Sequence, residues 1–278
     1  MTFEENKTTN TNWGAVTAEL AQRIRATIPL IHHITNFVVM NDTANATLAV
    51  GASPVMAHAK EEAAELASVA DALVLNPGTL EPDWVDAMLM AGLQANETGI
   101  PIVYDPVGVG ATHFRNETAR RFLAQLRVSV IRANAGEIGA LAGMGGLVKG
   151  VDSIRGLAEP GKVASDLVRK HGAVIAISGQ RDILADGKYV LGVDNGHPML
   201  QTITGSGCMV TTVVAAFCSV EKDFLTAATA GMAYYGLAAE YAAKESKGPG
   251  SFRAALLDRL YLLTPEQVDA GIRIVDLT

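Results

Sequence analysis

The chain has 278 residues, 49% hydrophobic and 18% charged, with 22 Lys and Arg against 29 Asp and Glu for a formal net charge of -7. That length and apolar content support a large buried core of α/β size, and an acidic balance without a Lys/Arg cluster argues against nucleic acid or an anionic membrane as partner. Two cysteines, Cys208 and Cys218, in no metal-type spacing leave neither a disulfide framework nor a zinc site, and no apolar run reaches the ~18 residues of a membrane span.

Met1 to Asn12 is polar, rich in Thr and Asn, and lacks the basic-then-apolar plan of a signal peptide. It reads as a flexible tail before a single domain over 13–278, with a cytoplasmic location expected. Trp13, Val16, Leu20 and Ile24 recur at helical spacing behind Asn12 as N-cap, and Pro29 ends that helix. Leu30 to Ile34 reads as a strand, Thr43 to Val50 as a helix, and Gly51-Ala-Ser-Pro54 as a turn. His32 and His33 face opposite sides of their strand, so at least one is expected to be a satisfied core or surface histidine.

A unit then repeats: a short apolar run, a Gly, Pro or Asn, and a helix. The runs are Ala72 to Asn76, Ile102 to Asp105, Val128 to Arg132 and Val174 to Ser178. They do not alternate between apolar and polar, which implies strands covered on both faces. With helices between them, the expected fold is a three-layer α/β/α architecture on a largely parallel sheet. Asp182 to Gly187 and Tyr189 to Val193 read as a hairpin of edge strands that forms a flap by the nucleotide. After it come the Gly205 turn and its apolar helix, buried helices over Phe224 to Lys244 and Ser251 to Leu263, and a closing strand Ile272 to Asp276.

The polar residues of the repeated units, Asn76, Asp105, Asn134 with Glu137, and Ser178, fall at strand C-termini, the edge at which open parallel sheets bind ligands. Singly, each has a plainer reading as a turn or cap residue. In Thr204-Gly-Ser-Gly-Cys208, Gly205 and Gly207 let backbone approach a ligand, and the first-turn amides beyond them favour an anion. Cys208 sits in that first turn, where a thiol pKa is expected to fall below ~8.5, making it a candidate base. The competing reading is a packed helix start with Cys208 as a small core residue. No Gly-x4-Gly-Lys-Ser/Thr occurs, and neither Gly108-Val-Gly110 nor Gly143-Met-Gly145 completes Gly-x-Gly-x-x-Gly, so P-loop and Rossmann readings fail. Asp105 and Glu137 offer hard oxygens that suit Mg2+ held partly through water, while the glycine turn suits a phosphoryl group.

Asn134 to Glu137 and Gly205 to Cys208 resemble the Asn-x-x-Glu motif and anion hole of the ribokinase-like superfamily. The fuller resemblance is to the hydroxyethylthiazole kinase family. It rests on Thr35-Asn-Phe-Val-Val-Met-Asn-Asp-Thr-Ala-Asn45, Gly51-Ala-Ser-Pro-Val-Met56, Asp105-Pro-Val-Gly-Val-Gly-Ala111, Ile131-Arg-Ala-Asn-Ala-Gly-Glu-Ile138 and Thr204-Gly-Ser-Gly-Cys208, in that order. Ala133, Gly136 and Ser178 depart from the family's commoner Gly, Ser and Thr. The resemblance implies a ribokinase-like fold and Mg2+-dependent transfer of the ATP γ-phosphate to the primary alcohol of 4-methyl-5-(2-hydroxyethyl)thiazole, a thiamine-salvage step. It further implies Asn36, Met56 and Gly205 on the thiazole, Arg132, Ser178, Asn134 and Gly207 on ATP, Asp105 and Glu137 on magnesium, Cys208 as base, and a homotrimer. The alternatives are a kinase of another vitamin precursor, such as hydroxymethylpyrimidine or pyridoxal, and an acyl-transfer enzyme with Cys208 as nucleophile and His32 or His33 as its base.

Overall fold

A computed structural model describes residues 11–144 and 159–278. Most of the expected tail, residues 1–10, and Gly145 of the second glycine pair lie outside the described residues. Helix α1 (Trp13–Thr27) starts where the Asn12 side chain accepts the Ala15 N–H, and stops at Ile28, which adopts a left-handed φ of 49° ahead of Pro29. Strand β1 (Leu30–Ile34) follows, then α2 (Met40–Val50), closed by Gly51 at φ 106°. Ser53 and Pro54, expected in the turn Gly51 to Pro54, instead open strand β2 (Ser53–Met56), which pairs in parallel with β1 alone. Pro54 is tolerated because β2 is the edge of the sheet, where one row of backbone donors needs no partner.

The repeated units appear as expected: α3 (Ala63–Val69), β3 (Ala72–Leu75), α4 (Pro82–Thr98), β4 (Ile102–Tyr104), α5 (His113–Gln125), β5 (Val130–Asn134), α6 (Ala135–Met144), α7 (Pro160–His171) and β6 (Val174–Ser178). Strands β7 (Asp182–Ala185) and β8 (Val190–Val193) form the expected antiparallel hairpin. It does not end the sheet, because β9 (Ile274–Asp276) pairs with β8 and takes the edge, giving the order β2-β1-β3-β4-β5-β6-β7-β8-β9. Strands β1 to β6 run parallel and β7 to β9 alternate.

Alternate residues of the inner strands enter two separate cores. Val74, Val103, Val130 and Ala176 face α1, α8 (Ser206–Val220), α9 (Phe224–Glu245) and α10 (Pro249–Leu262), while Leu75, Tyr104, Ile131 and Ile177 face α4 to α7. This is the three-layer α/β/α architecture. Helix α8 is buried from Met209 through Cys218 and α9 is almost wholly buried, which accounts for their uniformly apolar sequences. Among the described residues, no helix is long and apolar enough to cross a membrane. The short α11 (Pro265–Gly271), with a capping box between Thr264 and Gln267, is an element the sequence reading left out.

Candidate active site

The C-terminal ends of β1, β3, β4, β5 and β6 converge on the start of α8. There Gly205, at φ 82°, turns the chain into the helix, and the first helical bond runs from Met209 N–H to the Gly205 carbonyl. The N–H groups of Ser206, Gly207 and Cys208 therefore precede the helical ladder, as an anion hole requires. A Cβ on Gly205 would come within 2.8 Å of Val39 Cγ1, and one on Gly207 within 2.9 Å of Arg132 Nη1. The second approach means that the Arg132 guanidinium lies against the anion-hole backbone.

A hydrogen-bonded chain of side chains crosses this edge. Asn36 Nδ2 donates to Asn76 Oδ1 at 2.9 Å, and Asn76 Nδ2 donates both to Cys208 Sγ at 3.1 Å and to Asp105 Oδ2 at 3.2 Å. Asp105 Oδ2 also accepts from Thr211 Oγ1 at 2.8 Å and faces Arg132 Nη1 at 3.5 Å, while Arg132 Nη2 donates to Ser178 Oγ at 2.7 Å. The expected Asn36, Cys208, Asp105, Arg132 and Ser178 are thus one network. Asn76 is its hub and Thr211 a member that sequence reading missed. The signal for Thr211 was available, since it lies three residues beyond Cys208 on the same helical face.

The Asn-x-x-Glu segment is a reciprocal cap on α6. Asn134 Oδ1 accepts the Glu137 N–H at 2.9 Å, and Glu137 Oε2 accepts the Asn134 N–H at 3.0 Å. Glu137 Oε1 also accepts the Gly108 N–H at 2.9 Å, so the motif ties the loop after β4 to α6. Met56 ends β2 beside His33 in register, at the same sheet edge but outside the hydrogen-bonded network.

Electrostatics correct one expectation. The Cys208 thiol pKa is raised to about 12, mainly by burial and then by the Asp105 charge, against the Asn76, Arg132 and Asn36 contributions. The helix start does not lower it, because loss of water outweighs the dipole when a carboxylate stands nearby. Burial also raises Asp105 to about 6, with Arg132 opposing and Glu137 adding to the rise. The histidines are engaged elsewhere: His32 Nε2 lies 2.7 Å from Ala57 O, and His33 Nε2 lies 3.0 Å from Thr212 Oγ1. Burial lowers His33 to about 3, so it remains neutral at physiological pH. The sulfur's hydrogen-bond partners are the amides of Asn36 and Asn76. An acyl-transfer Cys–His pair is therefore not assembled.

The donor set suits magnesium. Asp105 Oδ1 is a buried oxygen without a hydrogen-bond partner, and each Glu137 oxygen accepts a single amide, which leaves hard lone pairs for an ion completed by water and phosphate. Among the described residues there is no cluster of three His, Cys, Asp or Glu that would hold a metal unaided.

The sequence of this chain is 63% identical over 257 residues to the hydroxyethylthiazole kinase of Desulforudis audaxviator, covering 92% of this chain and 94% of the relative. It is 58% identical over 261 residues to that of Chloroflexus aggregans, covering 94% of each. The solved hydroxyethylthiazole kinase structure from Pyrococcus horikoshii superposes with a TM-score of 0.87 at 42% identity, covering 94% of this chain and 99% of that one. The model of the hydroxyethylthiazole kinase family matches residues 21–266, a span that contains every strand end of the site and the whole of the α8 glycine turn. On that span and those identities, the chain belongs to the hydroxyethylthiazole kinase family.

Proposed function

We propose that the chain transfers the γ-phosphoryl group of ATP to the primary alcohol of 4-methyl-5-(2-hydroxyethyl)thiazole in thiamine salvage. The observation that carries this reading is the Asn76 amide, which joins the Cys208 sulfur to the Asp105 carboxylate at the mouth of the α8 anion hole. Asn36, Met56 and Gly205 form the alcohol side of the site, and Arg132, Ser178, Asn134 and Gly207 the nucleotide side. The amides of α8 and the Arg132 guanidinium receive charge that develops on the phosphoryl oxygens, in positions fixed before the substrates arrive. Asp105 and Glu137 would hold magnesium, which supplies neutralisation of the triphosphate charge. Cys208 holds the alcohol in line; with the thiol pushed up to about 12 it stands mostly as S–H at neutral pH. Its minor thiolate form is the species that accepts the alcohol proton, late, when bond formation to phosphorus has made that proton acidic. With a loose transition state, positioning outweighs base strength.

The proposal includes assembly as a homotrimer. Phe37 and Val38, which directly follow Asn36 and are 55% and 62% exposed, and Leu48 of α2, 57% exposed, are the apolar surface that supports it. The catalytic reading is tested by ADP release with ATP against a panel of thiazole, pyrimidine and pyridine alcohols. Turnover is expected to be at least tenfold faster with the thiazole; equal or faster turnover of pyridoxal or hydroxymethylpyrimidine would overturn the substrate assignment.

A further inference from the structure

Arg115 lies in the first turn of α5, on a helix that contributes nothing to the network above, yet its guanidinium is committed to two loops that do. Nη1 donates to the Pro77 carbonyl at 2.9 Å and to the Val107 carbonyl at 2.7 Å, and Nη2 donates to the Gly78 carbonyl at 2.7 Å. Pro77 and Gly78 directly follow Asn76, and Val107 stands two residues beyond Asp105. Each loop is also tied to the site from within. The Gly78 N–H donates to Asn76 Oδ1 at 3.2 Å, and a Cβ on Gly78 would meet Asn36 Nδ2 at 2.6 Å. The Val107 N–H donates to the Asp105 carbonyl at 2.8 Å, and the next amide, of Gly108, donates to Glu137. A Cβ on Gly108 would lie 3.2 Å from Arg115 Cδ and Nε, so this loop's backbone rests on the guanidinium. The side chain is anchored at its own base, where the Arg115 N–H donates to the Thr112 cap oxygen at 3.2 Å.

We propose that Arg115 is a positioning residue for phosphoryl transfer. One guanidinium clamps the loop after β3 to the loop after β4, and thereby sets the separation of the Asn76 amide from the Asp105 carboxylate. The guanidinium donates to three carbonyls rather than to a carboxylate, so the contribution is geometric. A rigid planar fork reaches both loops at once, which the single ammonium of lysine does not. The inference rests on the phosphoryl-transfer reading for its effect on rate, because a displacement of about 1 Å in such a site costs roughly 100-fold.

The test compares Arg115→Met and Arg115→Lys with Arg121→Met. Arg121 lies on the same helix and pairs with Asp86 of α4 at 2.9 Å without touching either loop. Two readouts are taken: steady-state kinetics for the alcohol and for ATP, and amide exchange at Gly78, Val107, Gly108 and Val109. Both Arg115 variants are expected to lose roughly 10- to 100-fold in kcat, with KM for the alcohol within about twofold of the parent and exchange in the two loops at least about tenfold faster. Arg121→Met is expected to match the parent in both. Parental kcat in Arg115→Met, full rescue by lysine, or an equal loss in Arg121→Met overturns the proposal. The exchange measurement stands without substrate: if the parent does not phosphorylate the thiazole the substrate reading fails, while unchanged loop exchange in Arg115→Met refutes the clamp itself.

Discussion

The strongest consequence of the site's electrostatics concerns Cys208, and it is tested by Cys208→Ala and Cys208→Asp. With its thiol pushed up to about 12, only about 10⁻⁵ of the protein carries a thiolate at pH 7. A base so poorly matched to the operating pH contributes little of the ~100- to 10,000-fold available from proton transfer. Cys208→Ala is therefore expected to lose only roughly 3- to 30-fold in kcat, through poorer placement of the alcohol. A carboxylate at position 208 would accept the same Asn76 and Asn36 N–H groups. Even if burial raised it as far as Asp105, to about 6, roughly 90% would be ionised at pH 7. Cys208→Asp is thus expected to equal or exceed the parent, with kcat rising through about pH 6 and flat above, whereas a thiol base gives the parent a rate still climbing at pH 9. Coupled ADP-release assays from about pH 5 to 9, with KM for ATP as a control for the intact anion hole, read these outcomes. A loss beyond about 1000-fold in the Ala variant that Asp fails to restore would refute the argument, because the thiol would then be acting in spite of its pKa.

Three further perturbations follow from named contacts. Gly207→Ala places a methyl 2.9 Å from Arg132 Nη1, and is expected to raise KM for ATP at least about tenfold while Tm stays near the parent; unchanged ATP kinetics would remove Arg132 from the nucleotide side. Glu137→Gln turns an amide donor toward one of the two backbone N–H groups the carboxylate now accepts, so the magnesium concentration for half-maximal rate is expected to rise about tenfold, and a superimposable titration would contradict a magnesium role. Asp182 accepts the Gly179 N–H at 2.8 Å, and burial raises it to about 6 from an unfolded 3.8. Its ionisation therefore costs the folded state stability as pH rises from about 4 to 6, a cost absent below that window and fully present above it. Asp182→Asn keeps the hydrogen bond without the charge. It is expected to gain ~1–2 kcal/mol at pH 7 and nothing at pH 3.5, by denaturant unfolding. A gain of equal size at both pH values would contradict the burial argument.

Much of this was legible in the sequence because the strands buried on both faces carry uninterrupted apolar runs, and the turns after them carry the polar groups. The glycine turn, Asp105 and Glu137 were singled out for that reason, whereas Arg132, which lies within β5, was singled out only through the family resemblance. What the sequence withheld depends on pairing and environment. Pro54 reads as a turn until β2 is seen to be an edge strand, and the β7–β8 hairpin reads as the sheet's end until β9 pairs beyond it. The Cys208 pKa follows a contest between a helix start and burial beside Asp105, and position in the chain gives only the first of these. Arg115 is invisible for a related reason: its partners are carbonyls, which every residue has.

The central claim is that phosphorus passes from ATP to the hydroxyethyl oxygen of the thiazole, and transfer of a radiolabelled γ-phosphate in the presence of the thiazole alcohol tests it most directly. The label is expected in a phosphate monoester of the thiazole, in amounts equal to the ADP formed, with phosphorus NMR coupling to the adjacent methylene. Label recovered only as inorganic phosphate, or on a pyrimidine or pyridine alcohol in preference to the thiazole when they compete at equal concentration, would contradict the account.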